Sequence, residues 1–258
     1  MPPAARILIA VDDPIIVNLI STMLQRKGYR IAGTIATSED TLAKTVDLAP
    51  DLVVMDVNLT GSMDAIDAAH YIFQLFHVPV VFIAATSEET KVARIAYAQP
   101  YGILFKPFAA IELTACVDLA LSNHADRAGM LGKLPLGDPR KMMDNPDEAI
   151  IVLDKRGRII LLNLSAAWFV DRDARQVLLK HWRDIMMFVS DANGEEIKDP
   201  VTAATKDKAG AIYDSSTSIV TTTSKRRKVI LTIRPIQDSH ERLIASVMSL
   251  KENKKTYM

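Results

Sequence analysis

Three apolar runs in the first half of the chain end in charged residues, and this arrangement constrains the fold more than any other feature. The charged residues are Asp12 with Asp13, Asp56, and Lys106. Amphipathic helical patterns alternate with the runs, which predicts βαβ units and a parallel sheet. Because the carboxyl ends of parallel strands lie along one edge, we expect these carboxylates and the ammonium group to meet there.

The chemistry of such an edge indicates phosphoryl transfer. Carboxylate oxygens together with water suit Mg²⁺, and a carboxylate can act as a nucleophile that becomes an aspartyl phosphate. Asp56, at the end of the third run, is the candidate acceptor.

The predicted strands cover residues 7–11, 30–36, 52–55, 80–84 and 103–105. The first helix is predicted to pack one apolar face on the core, and the residues of that face are Ile16, Leu19, Ile20, Met23 and Leu24. The fifth helix is predicted to end near Leu121.

The composition bounds the class of protein. A chain of 258 residues, 49% hydrophobic and 24% charged, suits two globular domains. Its 31 basic and 31 acidic residues give no net charge, which argues against bulk nucleic acid or an anionic membrane as a partner. No apolar run approaches the roughly 20 residues of a membrane helix. Cys116 is the only cysteine, so no internal disulfide is possible, and we expect a cytoplasmic protein.

Residues 1–124 resemble the receiver domain of two-component response regulators. The resemblance rests on stretches that occur in order at matching spacings, namely 6–14, 28–29, 50–56, 78–85 and 100–108. It implies a flavodoxin-like (βα)5 fold with parallel sheet order 2-1-3-4-5. It also implies Mg²⁺ as cofactor, a sensor histidine kinase as phosphoryl donor, and no enzymatic activity of the chain's own.

The resemblance assigns roles to individual residues. Asp56 would be the phosphoacceptor, and Lys106 would pair with a phosphoryl oxygen as a point charge. Asp12, Asp56 and the backbone carbonyl of Asn58 would bind Mg²⁺, and Asp13 stays open as a residue that could hold a metal-bound water. Val11 stands where the resemblance expects a second acid, so we expect weak Mg²⁺ binding.

The residues that usually transmit phosphorylation in such domains are replaced. Ala84 stands in place of a Thr or Ser, and Ile103 in place of a Tyr or Phe. Thr86 or Ser87 could supply the hydroxyl, and Tyr101 could supply the ring. The alternative hypothesis is therefore a scaffold or ligand sensor that works without phosphorylation.

The second half of the chain has a different pattern. Residues 125–140 carry several Gly and Pro residues and are predicted to be a linker. Residues 149–162 have a hairpin signature, and three β-like runs follow at 212–223, 228–235 and 243–250, which predicts an α+β domain with an antiparallel sheet. Residues 141–252 resemble a PAS domain, on the stretches 149–154, 157–160, 163–167 and 199–201 and the closing strands, and residues 253–258 are a tail.

The PAS resemblance leaves the ligand unknown and allows that there is none. The aromatic residues that could line a pocket, or could instead fill the core, are Trp168, Phe169, Trp182 and Phe188. Domains of this kind commonly dimerise, so we expect a homodimer. The basic cluster 225–228 is predicted to be a solvated hairpin turn rather than a nucleic-acid contact. The whole arrangement resembles archaeal receiver–PAS regulators without a DNA-binding domain, whose output would be read by a downstream protein that the sequence does not identify.

Overall fold

The computed structural model describes residues 4–85, 92–127, 139–206, 210–238 and 240–252. The chain divides into two compact units, Met1–Gly137 and Asp138–Met258, and the division falls inside the segment predicted to be a linker. Each unit has its own sheet. Within the described ranges, no helix combines the length and the apolar character needed to span a bilayer.

The first unit is a five-stranded parallel sheet with order β2-β1-β3-β4-β5 and helices between the strands, which confirms the flavodoxin-like prediction. Its strands are β1 Arg6–Ala10, β2 Arg30–Ile35, β3 Leu52–Asp56, β4 Val80–Ala85 and β5 Gly102–Lys106. Its helices are α1 Pro14–Lys27, α2 Ser38–Leu48, α3 Ala65–Phe76, α4 Val92–Tyr97 and α5 Ala110–Arg127. All residues of β3 are buried, as expected for a central parallel strand with both faces covered.

Two details of these helices differ from the predictions. Leu19 was predicted to face the core but is 47% exposed, because the buried positions of α1 are Ile20 and Leu24. Helix α5 continues to Arg127 instead of ending near Leu121, so the first residues predicted as linker are helical. The residues after Leu121 are mostly polar and exposed, and His124 and Arg127 among them contact the ring of Tyr101.

The second unit is a six-stranded antiparallel sheet with order β7-β6-β11-β10-β9-β8. Its strands are β6 Ala149–Asp154, β7 Ile159–Leu162, β8 Met186–Ser190, β9 Ala211–Thr221, β10 Arg226–Gln237 and β11 Leu243–Glu252. Its helices are α6 Pro139–Met143, α7 Leu164–Val170, α8 Ala174–Val177 and α9 Pro200–Lys206, with a 3-10 helix at Trp182–Asp184. The predicted hairpin and the closing strands are present, and β8 is an edge strand that the sequence pattern did not predict.

Two hairpin turns of this unit are built in the same way. Oδ1 of Asp154 accepts hydrogen bonds from the backbone N–H groups of Arg156 and Arg158, both at 2.8 Å, and Oδ2 accepts one from Arg158 Nε at 2.7 Å. Asp238 makes the same set with the residues two and four positions later, His240 and Arg242. Each carboxylate therefore closes its own turn, as Asp commonly does.

Only Lys225 of the basic cluster 225–228 lies in the β9–β10 turn. Residues 226–228 begin β10 and pair with β9, so the predicted turn is shorter than the cluster, and charges of the cluster are engaged within the unit. Lys225 pairs with Asp171 at 2.5 Å, and Arg226 pairs with Asp191 at 2.6 Å. The hydroxyl of Ser218 and the guanidinium of Arg226 hold the pKa of Asp191 below its usual value.

Candidate functional site

Asp56 and Lys106 meet at the carboxyl edge of the parallel sheet. Asp56 ends β3 and is 5% exposed, and Lys106 ends β5, two strands away. Lys106 Nζ donates to Asp56 Oδ2 at 2.6 Å, and the backbone N–H of Asn58 donates to Oδ1 at 2.8 Å. The peptide bond between Lys106 and Pro107 is cis. The edge thus holds a buried carboxylate against a cation that comes from a distant part of the sequence.

The residues after β1 have different environments. Ala10 lies opposite Met55 in the parallel register, so the chain after β1 continues at the level of Asp56. Val11 is 2% exposed and belongs to the apolar core, while Asp12 is exposed. At the position where a second acid was expected, the chain therefore has a core side chain.

Asp13 is the N-cap of α1. Its Oδ1 accepts hydrogen bonds from Ile15 N at 2.8 Å and Ile16 N at 3.4 Å, and Pro14 occupies the first helical position. The sequence Asp-Pro at a helix start is typical of this arrangement, so the cap could have been predicted. With one oxygen committed to the helix, Asp13 is a poorer candidate than Asp12 for a metal site.

The oxygen groups at this edge fit a Mg²⁺ ion that keeps several water ligands. Mg²⁺ in proteins is often held by one or two carboxylates with water completing the shell, and the predicted ligands Asp12 and Asp56 would supply two. Among the described residues, however, no group of three or more His, Cys, Asp or Glu side chains is arranged to hold a metal ion.

The two replaced transmission residues lie in the neighbouring strands. Ala84, fully buried near the end of β4, offers no hydroxyl, and its partner in β5 is Phe105. Ile103 is partly buried within β5. The alternative hydroxyl donors Thr86 and Ser87 fall outside the described residues.

Tyr101, the alternative ring donor, is held in an aromatic cluster. Its hydroxyl lies 3.2 Å from His124 Nδ1, and its ring packs edge-on against Phe73 and His124. Arg127 lies over the same ring at 5.8 Å. Burial lowers the pKa of His124, and burial also lowers that of His77. The ring is therefore anchored between α3 and α5 by several partners.

The proposed aromatic pocket of the second unit is not formed as one cavity. Phe169, Trp182 and Phe188 are buried and belong to the apolar core, as the alternative interpretation expected. Trp168 is 57% exposed, and the guanidinium of Arg227 lies 4.1 Å from its ring centroid. Trp168 and Phe169 border an open surface groove of about 870 Å³ that Trp182 and Phe188 do not reach.

Sequence reasoning missed one residue at the receiver edge. Glu39, in the first turn of α2, accepts from the backbone of Ser62 in the loop after Asp56. The contact joins residues 23 positions apart, and no local pattern predicts it. A Gly at position 61 was the available signal, because glycine permits close approach of backbone segments.

The fold and this edge define a flavodoxin-like α/β domain with a carboxylate–ammonium site at the carboxyl ends of its strands. Residues 7–118 match the family described as "Response regulator receiver domain". This part of the chain is therefore a response regulator receiver domain.

Two bacterial regulators are similar in sequence to this part of the chain. It is 32% identical over 129 residues to the transcriptional regulatory protein PdtaR of Mycobacterium tuberculosis strain H37Rv, over 50% of this chain and 62% of PdtaR. It is 29% identical to the DNA-binding response regulator MtrA of Mycolicibacterium smegmatis, over 52% of this chain and 57% of MtrA. The chain thus spans less than two thirds of the length of these regulators.

A solved structure is also similar. The N-terminal domain of a response regulator/sensory box/GGDEF 3-domain protein from Carboxydothermus hydrogenoformans is 30% identical, with a TM-score of 0.44. The match covers 48% of this chain and 98% of that one.

Proposed function

We propose that the protein is a two-component response regulator that accepts a phosphoryl group on Asp56 from a sensor histidine kinase. The observation that carries the proposal is the 2.6 Å pair of Lys106 Nζ with the buried carboxylate of Asp56, at the carboxyl edge of a receiver domain. A turn-forming carboxylate takes its hydrogen bonds from nearby residues. Asp56 accepts one such local bond, from Asn58 N, and is also paired across the sheet with a residue 50 positions later.

The chemical step uses groups of this chain in defined roles. A carboxylate oxygen of Asp56 attacks the phosphorus of the kinase phosphohistidine, so that an O–P bond forms and the N–P bond breaks. The leaving imidazole keeps the electron pair of the broken bond and takes a proton from solvent. Lys106 changes its partner from the carboxylate to a phosphoryl oxygen, which offsets the charge that collects there.

Mg²⁺, held by Asp12, Asp56 and the Asn58 carbonyl, would supply neutralising charge for the phosphoryl oxygens. The protein orients the reacting groups. The backbone N–H of Asn58 holds one carboxylate oxygen of Asp56, and Lys106 would bind a phosphoryl oxygen at the position where it now contacts the carboxylate. Weak Mg²⁺ binding follows from the two-carboxylate set.

Acetyl phosphate with Mg²⁺, followed by intact-mass measurement, tests this function on the full chain. The wild type should gain one phosphoryl group, and Asp56→Asn should gain none. Asp154→Asn is the matched control, because Asp154 also ends a strand, is buried and pairs with a cation. Equal labelling of the wild type and Asp56→Asn would refute the proposal.

We further propose that the second unit is a PAS domain that mediates self-association, so that the protein is a homodimer without phosphate. The support is its six-stranded antiparallel sheet and the filled aromatic core. Because Ala84 and Ile103 lack the side chains that usually couple phosphate to the domain surface, phosphorylation should change dimerisation little. Sedimentation with and without beryllofluoride measures this, and a full monomer or a clean switch to dimer would contradict it.

A phosphorylation-independent scaffold is the second candidate. Val11 in the apolar core and Ala84 at the end of β4 favour it, since both replace polar groups of the usual reaction. The labelling experiment separates the two functions, because a scaffold would leave Asp56 unmodified.

A further inference from the structure

The start of α2 is hydrogen-bonded to the loop that follows Asp56. Ser38 N donates to Thr60 O at 3.1 Å, and Thr60 Oγ1 donates back to Ala36 O at 3.0 Å. Ser38 Oγ also donates to Leu59 O at 3.4 Å. Bonds in both directions hold Leu59 and Thr60 against Ser38, the first residue of α2, and against Ala36 just before it.

Glu39 adds the charged part of this contact. Both carboxylate oxygens lie within hydrogen-bond distance of Ser62 N, at 3.3 and 3.2 Å. Gly61 has a φ of +150°, and a Cβ there would lie 2.3 Å from Glu39 Oε2. The loop therefore approaches Glu39 closely because residue 61 has no side chain. A negative charge is also favoured in the first turn of a helix, where Glu39 lies.

The anchored loop is continuous with the acceptor. Leu59 N donates to Asp56 O at 3.1 Å, and Asn58 N donates to Asp56 Oδ1 at 2.8 Å. Asp56, Asn58 and the residues held by α2 thus form one hydrogen-bonded turn. The position of the Asn58 carbonyl depends on how firmly this turn is held.

Two of the described positions where the receiver resemblance expects a polar group for the metal or the phosphoryl group have none. Val11 is an apolar core residue, and Ala84 has no hydroxyl. With fewer ligands at the site, each remaining ligand contributes a larger share of the binding, and its position matters more. Glu39 acts on one of these ligands through the loop.

We propose that Glu39 is a positioning residue for phosphoryl acceptance: through Ser62 N it holds the loop after Asp56, and so the Asn58 carbonyl, in the geometry that binds Mg²⁺. The inference rests on the proposed function, and it adds a residue that contacts neither the metal nor the phosphoryl group. Its direct effect is on Mg²⁺ affinity.

Calorimetric titration of the full chain with Mg²⁺ and labelling by acetyl phosphate at varied Mg²⁺ test the role. Glu39→Ala should weaken Mg²⁺ binding about 3- to 10-fold, the range of one ordinary net hydrogen bond, because the bond from Ser62 N is long and exposed. It should raise the Mg²⁺ needed for half-maximal labelling equally, with the maximal rate little changed. Glu39→Gln keeps an acceptor oxygen and should recover most of the affinity.

Asp47→Ala is the matched control, since Asp47 is an acid of the same helix that pairs with exposed Lys44 at 2.7 Å. It should bind Mg²⁺ like the wild type. If circular dichroism shows that Glu39→Ala is unfolded, Thr60→Val, which removes the bond to Ala36 O, should weaken Mg²⁺ binding in the same direction by about 2-fold.

Mg²⁺ affinity unchanged in Glu39→Ala, or in Thr60→Val where the first variant does not fold, overturns the inference, as does a Gln variant that behaves like Ala. Failure of the proposed function is a separate result. It would appear as absence of labelling in the wild type, and the calorimetric comparison would still decide the role of Glu39.

Discussion

Asp56 and Asp154 are two buried aspartates in different units that look alike until their partners are compared. Each is the last residue of a strand, and each pairs with a cation at 2.6 or 2.7 Å. Asp154 takes its described hydrogen bonds from residues two and four positions later. Asp56 is paired with Lys106 from another strand of a parallel sheet.

The difference shows what separates a structural carboxylate from a reactive one. A carboxylate has about four acceptor positions. Three of the acceptor positions on Asp154 are occupied by N–H groups of its own hairpin turn, so this carboxylate stabilises the turn. The described bonds of Asp56 leave room for a metal ion and an incoming phosphoryl group. Burial and a cation partner do not by themselves indicate function.

The largest expected effect separates the two cations. Lys106→Ala should slow labelling of Asp56 about 10- to 100-fold, because it removes a preorganised positive charge from the site where charge collects. Arg158→Ala, which removes the corresponding cation of Asp154, should label at the wild-type rate. The measurement is the initial rate of mass gain with acetyl phosphate. Similar slowing of labelling in both variants would show that the Lys106–Asp56 pair has no specific role in the reaction.

The next effect is on stability. Asp154→Ala should lower the free energy of unfolding of the second unit by about 2–4 kcal/mol, since it leaves two partly buried N–H groups and a partly exposed guanidinium without their buried acceptor. Asp238→Ala removes the same set of bonds at a more exposed turn and should cost less. Chemical denaturation followed by circular dichroism compares the two variants. Equal losses of unfolding free energy would show that the burial of Asp154 does not increase its contribution to stability.

Val11→Glu should turn a core position into a third carboxylate beside Asp56. A buried charge destabilises the fold without metal, and Mg²⁺ should then bind several-fold more tightly than in the wild type because charge and ligand count rise. The expected result is a lower melting temperature without Mg²⁺ and a larger Mg²⁺-dependent rise. A rise no larger than in the wild type would show that residue 11 does not face the site.

The smallest effect is on acid stability and differs between the units. Burial lowers the pKa of His77 and His124, so the unfolded chain binds protons more readily, and the first unit should lose stability as pH falls below about 6.5. In the second unit, Arg242 and nearby N–H groups lower the pKa of Asp238 to about 2, so its contribution is lost only below about pH 4.

Urea midpoints of each unit at pH 7, 5.5 and 4.5 measure this contrast. His77→Gln with His124→Gln is the control and should flatten the change in the first unit between pH 7 and 5.5. A drop of equal size in the double variant would assign the acid sensitivity to other groups.

The sequence predicted the first unit well because its information is local. Each strand is an apolar run, and the charged residue that ends it marks the functional edge, so Asp56 and Lys106 could be placed together from topology alone. The strand order follows from the receiver resemblance and was confirmed. The Asp13 cap was also visible in the sequence and was missed.

What could not be predicted depends on contacts between distant segments. The exposure of Leu19 and Trp168 reflects which face of a helix packs, which a short amphipathic pattern does not settle. Strand β8 lies at the edge of the sheet beside β9 and directly follows a short 3-10 helix, so no turn signal in the sequence marked where its apolar run begins. The Glu39 contact exists only after α2 and the loop after Asp56 are brought together.

Both tryptophans of the chain, Trp168 and Trp182, lie in the second unit. Trp168 is largely exposed and Trp182 is 3% exposed, so a soluble quencher should extinguish the emission of the first and spare the second. The receiver domain has no tryptophan and so contributes no tryptophan emission. Beryllofluoride would bind in the unit that has no tryptophan, so any change in tryptophan emission on adding it would show that a conformational change had reached the second unit.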